Sequence, residues 1–408
     1  MNIKDKEKAI KEQDLKYVAQ LGRIQKDMVI NDCKGCILKT VGGKEYLDLT
    51  AGVSVTATGH SHPKIVEAMH KQAQKVIHAQ CFGNYIYEVQ AELAQLLAER
   101  SPGNLESTFF TNSGAEAVEG AVKLAIKATR RKRIVFFSRS FHGRTYMTLS
   151  LSSKRLYREP FEPLYPWAIK VPFNDIHTTR GIMDDDVAAI IVEPIQGEGG
   201  IRPCRPDFLN ELKDLAHEYG ALLIADEIQT GMGRTGKWFC SEHYNVVPDI
   251  MTMGKGLASG MPLGGFIASK ELMSEFNNPP LIHCSTFAGN PVCCSASVAT
   301  IKVIEEENLL DNARDRGKEL IAGMNRLKDK YPNIIKDVRG LGLLTAIEMN
   351  SPKDAAAFVS KVKDLGATLS WTMNAGANVR VSPPLVITKE QISRGLELFN
   401  TALISMAK

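Results

Sequence analysis

The stretch ALLIADEIQTGMGRTGKW (Ala221–Trp238) joins a short apolar run to a glycine-rich segment. The glycines at positions 231, 233 and 236 match the GxGxxG spacing, but in a dinucleotide-binding loop they follow the strand directly and the acid comes later. Here the strand-like run Leu222–Ala225 ends in Asp226, before the glycines. A GxxxxGK phosphate loop is excluded because Trp238 replaces the hydroxyl residue that reaches magnesium. We therefore interpret the glycines as a loop behind Asp226.

Similar apolar runs occur earlier in the chain, at Arg133–Ser138 and Ala188–Pro194. Such runs are typical of strands buried on both faces of a parallel sheet. Between them and Asp226, Pro206–Gly220 has apolar residues at helical spacing and a terminal glycine. This alternation predicts an α/β fold with an open, mostly parallel central sheet. Ligands of such sheets bind at the carboxyl ends of the strands.

The chain of 408 residues is long for one core, which favours more than one domain. We expect a large domain over residues 57–300 and a smaller α+β domain over 301–408, where two long helical patterns flank DVRGLGLLTAIEM. The segment 1–56 contains CILKTVGGKEYLDLT, which predicts a hairpin turned by glycines. We expect this segment to pack with the C-terminal domain, which is then built from both termini.

Composition excludes several functions. The net charge of +4 arises from charges of both signs without a basic, aromatic-rich block, so nucleic acid is not an expected partner. No apolar run is long enough to span a membrane and the N-terminus lacks a secretion signal, which favours the cytoplasm. The lone pair Cys33 and Cys36, among eight cysteines, predicts structural thiols, with no metal site.

Three further segments carry polar groups directly after apolar runs. Ser113 and Gly114 begin a helical pattern, whose free N–H groups suit an anion. Phe141 follows another run, with a fixed cation, Arg144, beside it. Lys255 stands between glycines after DIMTM, where a lysine either reaches solvent or does chemistry with a lowered pKa. With Asp226, these groups suit pyridoxal phosphate, which needs a lysine, a carboxylate for the ring nitrogen, an aromatic ring and a phosphate site.

The chain resembles the class III, or ω-, aminotransferases of the fold-type I pyridoxal-phosphate family. The resemblance covers nearly the whole sequence, through LDLTAGVSVTATGHSHPKIVEAM, VEPIQGEGG, LLIADEIQTGMGRTG, STFAGNP, DVRGLG and VRVSPPLVIT. It implies that Lys255 is the Schiff-base lysine and Asp226 the carboxylate at the pyridinium. The other cofactor-binding residues that it implies are Ser113, Gly114, Ala115, Phe141, His142, Gln229 and Thr286. In this family the threonine comes from the neighbouring subunit, so a homodimer is expected.

The resemblance also assigns substrate-binding roles, to Val53, Arg144, Glu198 and Arg380. Two arginines suit a diacid, glutamate or 2-oxoglutarate, because each guanidinium can hold one carboxylate. Glu198 is similar to the movable glutamate of the 4-aminobutyrate and ornithine branch, which pairs with the second arginine when the substrate has one carboxylate.

The sequence leaves several amino donors open. HAQCFGNYIYEVQAELAQ favours 4-aminobutyrate as the donor and 2-oxoglutarate as the acceptor, whereas PLVIT is similar to the acetylornithine enzymes. Acetylornithine, ornithine, taurine and β-alanine as donors, pyruvate as acceptor, and a related amino-acid racemase stay open. A nicotinamide-dependent oxidoreductase that uses the 231–236 glycines and a binding protein without catalysis are the rival classes.

Overall fold

Strands from both halves of the chain build four sheets. The computed structural model describes residues 2–21, 28–80 and 85–407, so part of the motif HAQCFGNYIYEVQAELAQ and of the predicted segment 1–56 lies outside the described residues. The strands within these ranges are β1 (Ile30–Lys34), β2 (Ile37–Thr40), β3 (Glu45–Asp48), β4 (Ser107–Thr111), β5 (Arg133–Phe137), β6 (Ala168–Val171), β7 (Val187–Val192), β8 (Ile195–Gln196), β9 (Arg202–Pro203), β10 (Leu222–Asp226), β11 (Ile250–Met253), β12 (Gly264–Ala268), β13 (Ile335–Leu341), β14 (Leu344–Met349), β15 (Ala367–Thr368), β16 (Ser370–Trp371) and β17 (Asn378–Val381).

The largest sheet has seven strands in the order β4-β12-β11-β10-β7-β5-β6. Strands β6, β5, β7, β10 and β11 pair in parallel, and β12 is antiparallel to both of its neighbours, β11 and β4. The predicted mostly parallel α/β sheet is therefore confirmed. All six residues of β7 are buried, as a strand covered on both faces requires.

Helices connect the strands and pack against the sheets. They are α1 (Ile3–Tyr17), α2 (Ala51–Ser54), α3 (Pro63–Lys75), α4 (Glu88–Arg100), α5 (Gly114–Thr129), α6 (Tyr146–Ser150), α7 (Arg155–Arg158), α8 (Ile176–Arg180), α9 (Phe208–Glu218), α10 (Lys270–Met273), α11 (Pro291–Glu306), α12 (Leu309–Lys330), α13 (Pro352–Asp364) and α14 (Lys389–Met406). Short 3-10 helices lie at Glu159–Phe161, Cys240–Tyr244, Lys255–Ala258 and Ser274–Asn277. Within the described residues, no helix is long and apolar enough to cross a membrane.

The C-terminal part of the chain forms a second layered unit with the N-terminal strands. Sheet β13-β14-β17-β16 packs against α12 and α13, while β15 pairs in parallel with β3 of the β1-β2-β3 meander. The predicted hairpin is present as the antiparallel pair β2 and β3. The boundaries at residues 56 and 300 stay predictions; helix α11 runs across the second of them.

The glycines at 231–236 pack against this second unit. Gly233 lies where a Cβ would contact Leu310 and Leu385, and a Cβ on Gly236 would contact the backbone of Arg314. The turn between β13 and β14 also lies close to the glycine-rich segment, because a Cβ on Gly342 would lie 2.6 Å from the Thr235 carbonyl carbon. At Gly236 and Gly342, backbone segments of the two units therefore come into close contact. The role of these glycines is packing.

We predict that Gly317→Ala lowers the thermal unfolding midpoint. Gly317 is buried in α12, and a Cβ there would overlap the backbone of Gly342 in the β13-β14 turn. Alanine is the better helix former by about 1 kcal/mol, but overpacking against a fixed backbone costs about 1–3 kcal/mol. The matched control is Gly395→Ala in α14, where the nearest atom is a flexible leucine methyl of Leu49 at 3.3 Å. Calorimetry that finds the two variants equally stable would contradict this account.

Candidate active site

The parallel strands of the large sheet deliver polar residues to one cavity. Strands β4, β5, β7, β10 and β11 end at the same edge, and the segment after each of them contributes to the wall. The cavity has a volume of about 310 Å³, within the range of small-molecule sites. Its lining residues are Gly114, Ala115, Phe141, His142, Gly143, Arg144, Glu193, Ile195, Glu198, Asp226, Ile228, Gln229 and Lys255.

Lys255 enters this cavity from the residue after an extended glycine. Its own backbone has φ 44°, a strained conformation for a residue with a side chain. Burial lowers the pKa of its ammonium, and the nearby Arg380 lowers it further, whereas the carboxylates of Glu198 and Asp226 oppose the shift. A lysine with a lowered pKa is nucleophilic near neutral pH because more of it is uncharged.

Asp226 is the last residue of β10 and is buried beside His142. Oδ2 of Asp226 lies 2.6 Å from Nδ1 of His142, and because a carboxylate only accepts, Nδ1 must carry the proton. Oδ1 accepts from the Ile228 N–H at 3.1 Å and from the Thr252 hydroxyl at 3.3 Å. Burial alone would lower the pKa of His142, but the hydrogen bond and the charge of Asp226 outweigh it and raise that pKa. The hydrogen bond therefore fixes the Asp226 carboxyl group at the edge of the cavity.

Helix α5 points its N-terminus at the cavity. Ser113 is the N-cap and its hydroxyl accepts from the Glu116 N–H at 3.2 Å. A Cβ on Gly254 would lie 3.3 Å from Cα of Gly114, so these two glycines let the lysine segment approach the helix start. The unpaired N–H groups of a first helical turn bind anions such as phosphate.

Gln229 lies on the opposite side of the cavity, against Gly197. Any side chain at 197 would overlap the Gln229 amide, so the glycine makes room for it. The Nε2 group of Gln229 is buried without a hydrogen-bond partner among the described residues. A buried unpaired donor costs free energy, and an acceptor supplied by a ligand removes that cost.

Arg144 and Phe141 form the outer wall. The guanidinium of Arg144 lies 3.9 Å from the centroid of the Tyr157 ring and 5.4 Å from that of Phe141. Stacking on aromatic rings orients a guanidinium while leaving its N–H edge open to a carboxylate. No described carboxylate pairs with Arg144, whose exposed side chain faces the solvent.

Arg380 lies deeper and is paired with Glu198. Its NH1 donates to Oε1 of Glu198 at 2.5 Å, and both side chains are almost fully buried. Burial alone would raise the pKa of the Glu198 carboxyl, but Arg380 and the N–H of Met373 more than offset this and lower it. Glu198 is therefore ionised at neutral pH and neutralises Arg380.

Four residues predicted for the site are not part of the cavity wall: Arg380, described above, and Val53, Thr286 and Ser113. Val53 is 39% exposed in the short helix α2, and its φ of 69° is in the left-handed region. Thr286 is exposed on the loop before α11, where Ser285 accepts from the Asn112 side chain at 2.7 Å. Ser113 is adjacent to the wall and caps the helix.

Glu193 is a wall residue that the sequence analysis missed. It follows β7 directly, so the strand-end rule that identified Asp226 would also have found it. Its two carboxyl oxygens accept from the N–H groups of Phe141, at 3.0 Å, and Gly197, at 2.9 Å. Burial raises its pKa to about 7; the charge of Asp226 adds to this, whereas His142 opposes it. The apolar wall residues Ile195 and Ile228 were also missed.

Comparison with known proteins identifies the family. The family model described as aminotransferase class-III matches residues 20–403. The chain belongs to the class III aminotransferases. The family confirms the expected enzyme class and its cofactor, pyridoxal 5′-phosphate, and the nicotinamide and non-catalytic alternatives are wrong.

Relatives and solved structures agree with this assignment. Acetylornithine aminotransferase of Methanopyrus kandleri is 43% identical over 88% of this chain and 90% of its own. The enzyme of that name from Archaeoglobus fulgidus is 39% identical over 95% of this chain and 98% of its own. Ornithine aminotransferase from Toxoplasma gondii superposes with a TM-score of 0.91 at 32% identity, covering 98% of this chain and 96% of that one. The fold-type I architecture is thereby confirmed.

The cavity of this aminotransferase fits pyridoxal phosphate by its own chemistry. It offers a buried lysine, a buried carboxylate, a helix N-terminus and a buried amide donor without a partner among the described residues. No group of three or more His, Cys, Asp or Glu in the described ranges is placed to hold a metal ion. The structure thus brings together nine of the residues predicted from the sequence, namely Gly114, Ala115, Phe141, His142, Arg144, Glu198, Asp226, Gln229 and Lys255.

We predict that Glu193→Gln changes how the stability of this aminotransferase depends on pH. A carboxyl whose pKa is raised from 4.5 to about 7 binds a proton on folding, so its contribution to stability falls as the pH rises through this interval. The glutamine variant does not titrate there. Relative to the native protein, it should therefore become less destabilised between pH 5 and pH 8, as measured by thermal unfolding. A constant difference between the two proteins across this interval would refute the raised pKa.

Proposed function

We propose that this aminotransferase takes the terminal amino group of an ω-amino acid with one carboxylate and transfers it to 2-oxoglutarate. The observation that carries the proposal is the buried ion pair of Glu198 and Arg380, together with Arg144, which pairs with no carboxylate among the described residues. With the pair closed, one arginine is open to a carboxylate. With the pair open, two arginines accept a diacid, glutamate or 2-oxoglutarate.

Because the ion pair is buried, Arg380 needs a negatively charged partner with every substrate. In our proposal the Glu198 carboxylate must therefore be present and must also be able to move aside. An uncompensated buried guanidinium is strongly destabilising, by about 3–5 kcal/mol for a broken buried pair. A donor with one carboxylate would leave the buried guanidinium of Arg380 without a counter-charge unless the Glu198 carboxylate supplied it. A diacid brings its own second carboxylate, which replaces Glu198. One pocket can therefore serve two substrates of different charge.

The cofactor residues divide the chemistry among them. Bound pyridoxal phosphate supplies an electron sink for the bond that breaks at the substrate carbon. In our proposal Lys255 would hold the cofactor covalently, and its amine would carry the proton to and from the substrate carbon. Asp226 holds the ring nitrogen protonated, Phe141 stacks on the ring, and Gln229 donates to its phenolic oxygen. Helix α5, from Ser113, holds the phosphate.

N-acetylornithine is the donor that we place first. Four relatives at 39–43% identity carry the name acetylornithine aminotransferase, which supports this alternative over 4-aminobutyrate, favoured in the sequence analysis. Both molecules present one carboxylate at a distance from the reacting amine, so the geometry of Arg144 serves either. N-acetylornithine has an acylated amine next to the carboxylate and one more carbon before the reacting amine, and a donor comparison separates the two.

We predict that N-acetylornithine and glutamate each convert the cofactor in the absence of a keto acid. The visible absorbance of the purified holoenzyme is recorded while N-acetylornithine, ornithine, 4-aminobutyrate, β-alanine, taurine or glutamate is added. Conversion by N-acetylornithine at the lowest concentration, with reversal by 2-oxoglutarate rather than by pyruvate, is the expected result. Conversion by glutamate but by no ω-amine would refute the proposed donor class.

The covalent role of Lys255 is tested against a second half-buried lysine, Lys237, as the control. Lys255→Ala should lose the covalent cofactor, as measured by mass after borohydride reduction, together with turnover. Lys237→Ala should keep both, because its ammonium donates to the Glu242 carbonyl at 3.0 Å, away from the cavity wall. Normal turnover of Lys255→Ala would contradict the assigned role of this lysine.

We further propose that the enzyme works as a homodimer in which Thr286 of each subunit completes the phosphate site of the other. Thr286 is exposed and is not part of the cavity wall of its own chain, and Phe287 beside it is 59% exposed. Phe287, Ile77 and Met261 line a second, apolar cavity of about 600 Å³, which a partner surface would cover. Sedimentation equilibrium should give twice the mass of one chain, and a monomer with full activity would refute the arrangement.

A further inference from the structure

The hairpin that carries Arg380 also carries a loop that touches the movable glutamate. Strands β16 and β17 are joined by residues 372–377, and Arg380 lies on β17. Oε2 of Glu198 accepts from the N–H of Met373 at 2.8 Å, while Oε1 accepts from Arg380. The carboxylate of Glu198 is therefore held at both oxygens by one hairpin.

The same loop contacts the other substrate arginine. The sulfur of Met373 lies 3.5 Å from NH2 of Arg144. The carbonyl oxygen of Met373 accepts from the ammonium of Lys154. Two further bonds fix the loop in place, because the Asn374 N–H donates to the Glu198 carbonyl at 3.0 Å and the Asn374 side chain donates to the Ser140 carbonyl at 2.9 Å.

We propose that Met373 is a specificity-determining residue: its backbone N–H latches Glu198 onto Arg380, and this latch sets the preference between donors with one carboxylate and glutamate. The inference rests on the proposed function and extends it from the ion pair to the loop. For a diacid to reach Arg380, Glu198 must give up the Met373 N–H as well as the guanidinium. A donor with one carboxylate leaves both bonds intact.

Because the Glu198 carboxylate is charged, the hydrogen bond from the Met373 N–H contributes significantly to holding Glu198 on Arg380. Hydrogen bonds to charged groups are stronger than neutral ones, and here the accepting carboxylate of Glu198 is buried, while Met373 is half-buried. The latch therefore favours the closed pair and disfavours glutamate. Because the contact is made by the backbone, only a substitution that removes the N–H removes the latch.

The test compares two substitutions at one position. Met373→Pro removes the N–H, whereas Met373→Leu keeps the N–H and the volume but removes the sulfur. For each holoenzyme, kcat/KM is measured separately in the half-reactions with N-acetylornithine and with glutamate. We expect Met373→Pro to raise the ratio of glutamate to N-acetylornithine about tenfold, and Met373→Leu to leave it within about twofold. Equal effects of the two variants, or none from either, overturn the latch.

Two controls separate the latch from general damage to the loop. Ala375→Pro places a proline in the same loop, and it should leave the ratio unchanged. In a Glu198→Ala background, Met373→Pro should no longer change the ratio, because the latched carboxylate is absent. A shift of equal size in that background shows that the loop acts independently of Glu198 and overturns the proposal.

A measurement on the native holoenzyme serves if Met373→Pro does not fold. Hydrogen exchange at the amide of Met373 is followed by mass spectrometry with saturating glutarate, a diacid, or butyrate, a single carboxylate. The latch predicts faster exchange with glutarate than with butyrate. Equal exchange in both overturns it. If no ω-amine reacts at all, the proposed function fails; if N-acetylornithine reacts normally and the ratio and the exchange do not change, only the latch fails.

Discussion

The common direction of five strands in the large sheet determines where the chemistry of this aminotransferase can occur. Because β4, β5, β7, β10 and β11 all end at one edge, segments separated by up to a third of the chain arrive at the same cavity. Each strand is a short apolar run that is stable only when buried, so its first polar residue marks the place where the chain leaves the core. Asp226, Glu193 and Lys255 stand at such places.

Charges in the cavity are balanced across the two structural units. Lys255, His142 and Asp226 come from the large sheet, whereas Arg380 comes from the C-terminal hairpin and is neutralised by Glu198. The carboxylate of Glu198 also raises the pKa of Lys255, while Arg380 lowers it. In the proposed function, a movement of Glu198 would therefore change the electrostatic environment of Lys255 as well as the number of arginines open to a carboxylate. The proposal thus links substrate choice to the protonation of Lys255 through one side chain.

Much of this arrangement could be predicted from the sequence, because it depends on local order along the chain. The position of Asp226 before the glycines excluded a nucleotide loop, and the family resemblance predicted that Lys255, between glycines after an apolar run, binds the cofactor. The latch could not be found in this way, since Met373 and Glu198 are 175 residues apart and meet through a backbone group. The type of a residue does not indicate which group its backbone N–H will contact. Nor does a single chain decide which subunit uses Thr286.

In the proposed function, one of the two substrate arginines, Arg380, and the loop that holds Glu198 lie in a different part of the chain from the cofactor residues. The residues proposed to bind the cofactor belong to the edge of the large sheet, whereas Arg380 and the 372–377 loop belong to one β-hairpin of the C-terminal unit. A hairpin is a compact module whose ends are fixed by its neighbours in the sheet, here by β14. If the proposal holds, exchange of this hairpin between related enzymes would change the partners of Glu198 while leaving the proposed cofactor-binding residues in place, which makes the hairpin a unit for grafting and for evolutionary divergence.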